Sequence, residues 1–193
     1  MSVLLRPRST TTNVGAVAYT AGDEISSSAT AGSVVRATFN LEGFSQGLIY
    51  AAQLDLVPAS GNVVTTASDF ELLIFHTADA PTAVGDNVTH PISAATRALA
   101  IVGFRFDDEG WTGPLVTVAA GTSQIQAVGA HLVQPLATSV LQSPWGAGMP
   151  FTFAGRQLST AGRQFTAVLR ALAAWTPANV VNTIGITLDI EAT

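Results

Sequence analysis

Four side chains in one polar stretch have the right chemistry for a metal ion: His76, Asp79, Asp86 and His90. Imidazole and carboxylate ligands suit zinc or a harder divalent cation, according to geometry. Their spacing follows no metal-binding motif, however, and the stretch is punctuated by Pro81, Gly85 and Pro91. Asp and Asn serving local turns is the favoured reading. A second acidic cluster, Asp107-Asp108-Glu109, lacks the alternating oxygen ligands and distant bidentate Glu of a calcium loop and reads as a solvated turn. Hydrolysis needs a nucleophile beside a base, or two positioned carboxylates. No serine lies in a Gly-x-Ser-x-Gly elbow, and there is no phosphate loop or dinucleotide fingerprint. The chain therefore reads as a non-enzyme with no cofactor and no metal. Trp111, Trp145 and Trp175 could stack on a sugar, but each adjoins a turn bearing Gly or Pro, and core or subunit-contact roles fit them better.

Composition narrows the partners. The 193 residues include no cysteine and no lysine, and eight arginines against thirteen acids leave a net charge of −5. That excludes disulfides, thiolate metal sites and Schiff-base chemistry. It also argues against nucleic acid, whose binding needs clustered cations to displace phosphate counterions. Only 11% of residues are charged, while 48% are hydrophobic; the usual values are about 25% and 45–50%. It is the charge that is missing. Thr, Ser, Ala, Asn and Gln take its place, which suits surfaces to be covered by other subunits. No run of about 18 apolar residues exists, so no membrane-spanning helix is expected. The apolar segment after Met1 is too short for a signal peptide, so synthesis in the cytoplasm is expected.

The elements that must position these residues are strands. Asp69 to Asp107 holds two of them: Phe70–Phe75, apolar on both faces except at Glu71, and Ala100–Phe106, joined by the polar loop. A strand apolar on both faces is covered on both sides, by sheet, loop or subunit. Before it, Ser33–Leu41 alternates with Val35, Ala37, Phe39 and Leu41 inward, and Leu48–Val57 with Tyr50, Ala52, Leu54 and Leu56 inward. With a Gly-containing connection between them, the two read as a hairpin. Weaker strands are expected at Val14–Tyr19, Val63–Thr66, Pro114–Val118, Gln124–Leu132 and Met149–Phe153. Gln164–Trp175 has helical propensity, yet Phe165, Ala167, Leu169 and Ala171 alternate, and a strand fits its surroundings. The last strand, Thr183–Ile190, alternates most cleanly, with Ile184, Ile186, Leu188 and Ile190 on one face. Eight to ten strands at regular spacing imply an all-β chain. The expected architecture is a single jelly-roll-like β-sandwich over residues 15–193, preceded by a flexible arm, residues 1–14, that orders only against a neighbour or the domain's own edge.

Three pieces, in their order, resemble small virion structural proteins of tailed bacteriophages. They are the turn Tyr19-Thr20-Ala21-Gly22-Asp23 followed by Ile25; the strands around a Gly turn from Phe39 to Leu56; and Leu72-Leu73-Ile74-Phe75, Ala80-Pro81-Thr82, Asp86-Asn87 and Ile101-Val102-Gly103. The likeness spans roughly the first 110 residues and, more weakly, the last strand; nothing from Trp111 to Ser159 matches. It implies a jelly-roll subunit, typically a homotrimer, of the capsid decoration (cement) type. Such a subunit binds the major capsid protein on the outer shell, having assembled in the host cytoplasm. On that reading Arg6 and Arg8 in the arm face the capsid, since an arm can pair its backbone with a neighbouring sheet edge; simple disorder of the arm is the alternative. The loop carrying His76, Asp86, Asn87 and His90 becomes a subunit contact at the rim. A tail- or fibre-associated module recognising a glycan or receptor is the other functional class left open.

Overall fold

Period-2 alternation does produce strands here, and the order in which they pair gives the fold. The computed structural model describes residues 2–12, 18–58, 68–107, 124–129, 131–132, 141–142, 148–156, 162–176 and 182–193. The strands are β1 (Val3–Leu5), β2 (Arg8–Thr12), β3 (Thr38–Asn40), β4 (Gln46–Pro58), β5 (Phe70–His76), β6 (Val102–Phe106), β7 (Gln124–Gly129), β8 (His131–Leu132), β9 (Leu141–Gln142), β10 (Met149–Thr152), β11 (Gln164–Ala171) and β12 (Asn182–Ala192). One sheet runs β1/β2–β12–β4–β10, with β7 also on β4; the other runs β3–β11–β5–β6–β8–β9. Every pairing is antiparallel.

If β1/β2 is counted as the first position and β7/β10 as the sixth, and the short β8 and β9 that extend the second sheet beyond β6 are set aside, the sheets read 1-8-3-6 and 2-7-4-5. The chain changes sheet through two interlocking Greek keys, so the β-sandwich is a jelly roll.

Between the sheets lies one core. Phe70, Leu72 and Ile74 from β5 and Phe165 and Leu169 from β11 meet Leu54 and Leu56 from β4 and Ile184, Ile186, Leu188 and Ile190 from β12. Each such side chain, fully buried, contributes about 1.5–3 kcal/mol relative to exposure. Of the segment Gln164–Trp175 read as a strand, Gln164–Ala171 is one: it is β11, inside its sheet between β3 and β5. The other face of β5 is covered as well. Leu73 and Phe75, with Val168, form a second small cluster under Ala80, Ile92 and Ala100, so the covering element is the β5–β6 loop.

Three expectations give way. The hairpin of residues 33–57 is not one: β3 pairs β11 while β4 pairs β12, so residues 41–45 cross from one sheet to the other. Both strands bury an apolar face in the same core, and alternation alone cannot say whether they lie side by side or face to face. The first of them is also shorter than expected, and Val35 is 66% exposed. Tyr50 does not point inward, because Asp189 and Ile190 of β12 pair with Ala51 and Ile49 of β4. Tyr50 is the extra residue of a β-bulge, which shifts the inward phase to Ile49. The bulge lies where the neighbour of β4 changes from β10 to β7.

Residues read as an arm lie on the domain's own sheet. β1 and β2 run along β12 on either side of Pro7, so the strands of the sandwich begin at Val3. Arg6 Nε donates to Asp189 (2.6 Å), and Arg8 reaches over Gly185 toward Asp55 (3.4 Å). A Cβ on residue 185 would lie 2.3 Å from the Arg8 guanidinium, so glycine makes room for that crossing. The expected strand at Val63–Thr66, that at Pro114–Val118, most of that at Val14–Tyr19, and Asp108, Glu109, Trp111 and Trp145, lie outside the described residues.

Candidate functional site

The titratable side chains cluster beside and beneath the β5–β6 loop, on the outer face of the second sheet. The turn that starts this region is made locally. The Asp23 carboxylate accepts from Thr20 N (2.7 Å) and Thr20 Oγ1 (2.9 Å), and Gly22 takes φ +94°. The chain leaving it lies in strand fashion beside β11, with Gly22 N donating to Ala171 O and Ile25 N to Leu169 O. Its free edge then takes the loop: Asn87 N donates to Glu24 O, Glu24 N to Val88 O and His90 N to Gly22 O. Residues 22–28 are therefore zipped between β11 and the loop. The excursion they lead into, residues 26–36, returns at Arg36.

Two buried carboxylates fasten this layer. Glu24 accepts both prongs of Arg36, Nε on Oε1 at 2.7 Å and Nη2 on Oε2 at 2.8 Å, and His90 Nδ1 lies 2.7 Å from that same Oε2. Burial alone would raise the Glu24 pKa, but the hydrogen bonds from His90 and Arg36 outweigh it and hold the carboxyl below the usual glutamate range. An ionised Glu24 can only accept, so His90 carries its proton on Nδ1. Arg36 also donates to Pro81 O, which ties the excursion to the loop.

Glu71 stands directly opposite Arg170 in the β5–β11 ladder and accepts from it. It accepts from Arg97 as well. Arg97 ends the short helix α1 (Ala94–Arg97), whose N-cap Ser93 accepts from Thr96 N. Arg170 goes on to donate to His90 O (2.9 Å). For Glu71 too, burial pushes the pKa up, and the Arg97 hydrogen bond and Arg170 charge reverse it.

The four side chains with metal-ligand chemistry do not converge. Asp86 accepts from Tyr19 Oη (2.7 Å) and Ser26 N (2.9 Å), His90 is held by Glu24, and Asp79 pairs with Arg156 (2.5 Å). His76 lies among phenylalanine rings. Among the described residues, no group of three or more His, Asp or Glu is arranged to hold a metal ion.

Of the residues read as a subunit contact, Asp86 and His90 are buried inside the chain where they fasten this layer, and His76 is buried on the opposite face of β5, in the main core. Asn87 is half-buried in the left-handed region at φ 55°, in a turn whose backbone bonds to Glu24. Trp175 is core, stacked on Tyr19 at 5.2 Å and edge-on to Phe70.

Sequence reasoning left out Glu24, Arg36, Arg97 and Arg170. A signal for two members did exist: Glu71 and Arg170 are lone charges in otherwise apolar strands. Chemically, this arrangement sequesters charge: the carboxylates of Glu24, Glu71 and Asp86 spend their lone pairs inside the chain.

The molecule is thus an antiparallel jelly roll with one sheet face sealed by an ion-paired loop. No family model and no curated protein matches the chain. Among solved structures, similar chains occur in infectious bursal disease virus (Gx strain), at 11% identity over 99% of this chain and TM-score 0.22, and in Cocksfoot mottle virus. The latter shares 10% identity over 96% of this chain and 95% of that one, at TM-score 0.20. The chain spans 41% of the length of the first. At these scores neither likeness carries an argument.

Proposed function

We propose that this protein is a virion structural subunit of a tailed bacteriophage, a decoration protein that binds the outer capsid surface and stabilises the shell. One observation supports it beyond the sequence resemblance: all eight arginines are occupied within the chain. Arg6, Arg8, Arg36, Arg97, Arg105, Arg156 and Arg170 pair with carboxylates, and Arg163 donates to Phe44 O. The exterior offers neutral polar groups and backbone edges instead of cations ready for phosphate. Such a surface suits burial against protein, where many modest contacts add stability by mass action. A self-contained jelly roll can act in this way with no chemistry of its own.

The attachment element on this reading is the β1–β2 edge. Among the described residues β1 is an outer strand, paired only with β12, and its Leu4 is 79% exposed. An edge strand with unpaired backbone groups is a template for strand addition. Arg6 and Arg8 then serve by holding β1 and β2 on β12, and the strand edge makes the contact. The subunit assembles as a homotrimer, which buries further neutral surface.

The test is co-sedimentation of purified protein with tailed-phage capsid shells, alongside native mass spectrometry and a glycan array. Trimers that bind shells and no glycan support the proposal. A monomer that binds glycans and leaves shells untouched overturns it in favour of a tail or fibre module. Leu4→Lys, which places charge on the edge while leaving the core alone, should weaken shell binding at least tenfold; unchanged binding would remove the edge from the interface.

A further inference from the structure

We propose that His76 is an acid-operated latch on the end of the sandwich closed by residues 77–79 and 153–156: when its ring takes up a proton, Asp79 changes partner from Arg156 to His76 and that end loosens. The inference concerns the subunit's own mechanics and is independent of what its exterior binds.

The geometry is that of a neutral imidazole caged by apolar rings. His76 ends β5 on the face that carries Phe70, Leu72 and Ile74, so it points into the main core, and it is 4% exposed. Its ring lies 4.9 Å from Phe153 and 5.5 Å from Phe165, both edge to face, and Phe151 packs against those two rings. Nδ1 is buried and has no hydrogen-bond partner among the described residues. A proton added to this ring would bring charge into an apolar cage that presents no acceptor at that nitrogen.

Two charged groups act on the ring. Arg156, in the turn after β10, opposes a second cation; Asp79, three residues along in the 3-10 turn Thr77–Asp79, favours one. The two are now paired to each other at 2.5 Å, and that pair joins the 3-10 turn to the turn after β10. The other charged groups at this end are Arg163, which donates to Phe44 O, and Glu42, whose carboxylate lies beside Gly162. Residues 157–161 (Gln-Leu-Ser-Thr-Ala) carry no ionisable side chain. β10 and β11 face the ring with phenylalanine.

Protonation therefore sets up a competition for Asp79. The imidazolium draws the carboxylate and repels Arg156, the bond joining the two turns is lost, and the charged ring gains by reaching water. Burial, then the Arg156 charge, push the His76 pKa down to about 4 from 6.5, with Asp79 opposing. The sign follows: an opened form with an ordinary histidine binds the proton first, so opening is favoured as pH falls from 6.5 toward 4. The open population rises up to tenfold per pH unit, about 300-fold in all.

Hydrogen exchange by mass spectrometry on the intact chain, at several pH values from 7 to 4.5 and corrected for intrinsic rates, reads this directly. Peptides over 74–80 and 149–156 should open progressively more often as the pH falls, while 182–192 stays protected. His76→Phe, which suits the aromatic cage, and His76→Gln, which is polar but does not titrate in this range, should both abolish the pH dependence. A wild-type chain with no such opening overturns the latch, as does either variant, folded, keeping it. Should both variants fail to fold, the imidazole C–H resonances of the wild type decide. Titration below pH 5 supports the latch; titration near or above 6.5, as if the rings stabilised the cation, overturns it.

Discussion

Replacing Glu71 by Gln should be among the most damaging single changes outside the apolar core. The carboxylate is buried and receives two guanidinium groups, Arg170 from the neighbouring strand and Arg97 from α1. The amide is nearly isosteric, so packing is kept and only charge and two acceptor lone pairs are lost. Two cations would then face a neutral group in a site with little water. Removing one partner of a buried ion pair costs about 3–5 kcal/mol, most of it the uncompensated charge left behind. In a chain of this size each kcal/mol moves Tm by roughly 2–4 °C, so a fall of roughly 6–20 °C is expected. Scanning calorimetry or urea unfolding at pH 7 measures it.

A companion variant isolates the cause. Glu71→Leu with Arg170→Met fills the site with apolar side chains, and Arg97, the more exposed of the two arginines, can turn to water. The double variant should recover most of the loss, since apolar replacement of a buried pair is often neutral or stabilising. The wild type should lose the same contribution in acid. The Glu71 pKa lies below its ordinary 4.5 in the folded chain, so its stabilisation is complete above 4.5 and disappears as pH falls through the folded value. A Tm within about 4 °C of wild type for Glu71→Gln would refute the reasoning, as would a double variant no better than the single.

Glycines 47 and 185 should respond unequally to alanine. A Cβ at Gly47 meets Glu191 O at 2.1 Å and Phe151 at 2.9 Å, a backbone clash expected to cost about 3 kcal/mol by denaturant unfolding; at Gly185 its three nearest atoms all belong to the far end of the long Arg8 side chain, and the loss should stay below about 1 kcal/mol. Tyr19→Phe removes the hydroxyl that donates to buried Asp86 and should cost about 2 kcal/mol in the same assay, with amide protection lost first across residues 22–28. Arg6→Ala and Arg8→Ala break exposed or long ion pairs; each should change stability by under about 1 kcal/mol, and by less still in 0.5 M salt, where a urea titration would show the difference vanish.

Much of the fold could be read before any coordinates. A side chain's face on a strand depends on the backbone beside it, so Ile184, Ile186, Leu188 and Ile190 declared β12, and the doubly apolar Phe70–Phe75 declared a strand covered on both sides. The same local reading failed at Tyr50, where one inserted residue reverses the phase, and at Val35, where the chain is still in the excursion and has not yet entered β3.

The site was legible only in fragments. Glu71 and Arg170 stand out as charges in apolar strands, but they are 99 positions apart, and Glu24 and His90 are 66 apart. Nothing in local composition says that these will meet.

By itself, then, the sequence determined that the chain is all-β, that its core is built from alternating strands, and that its surface is poor in charge. Each of these follows from residue type and a period of two. The tertiary structure decided which sheet each strand joins, which element covers the outer face of β5, and which carboxylate each arginine takes. Those outcomes depend on contacts between distant segments, where the burial of charge and the pairing of strand edges are settled for the whole fold at once.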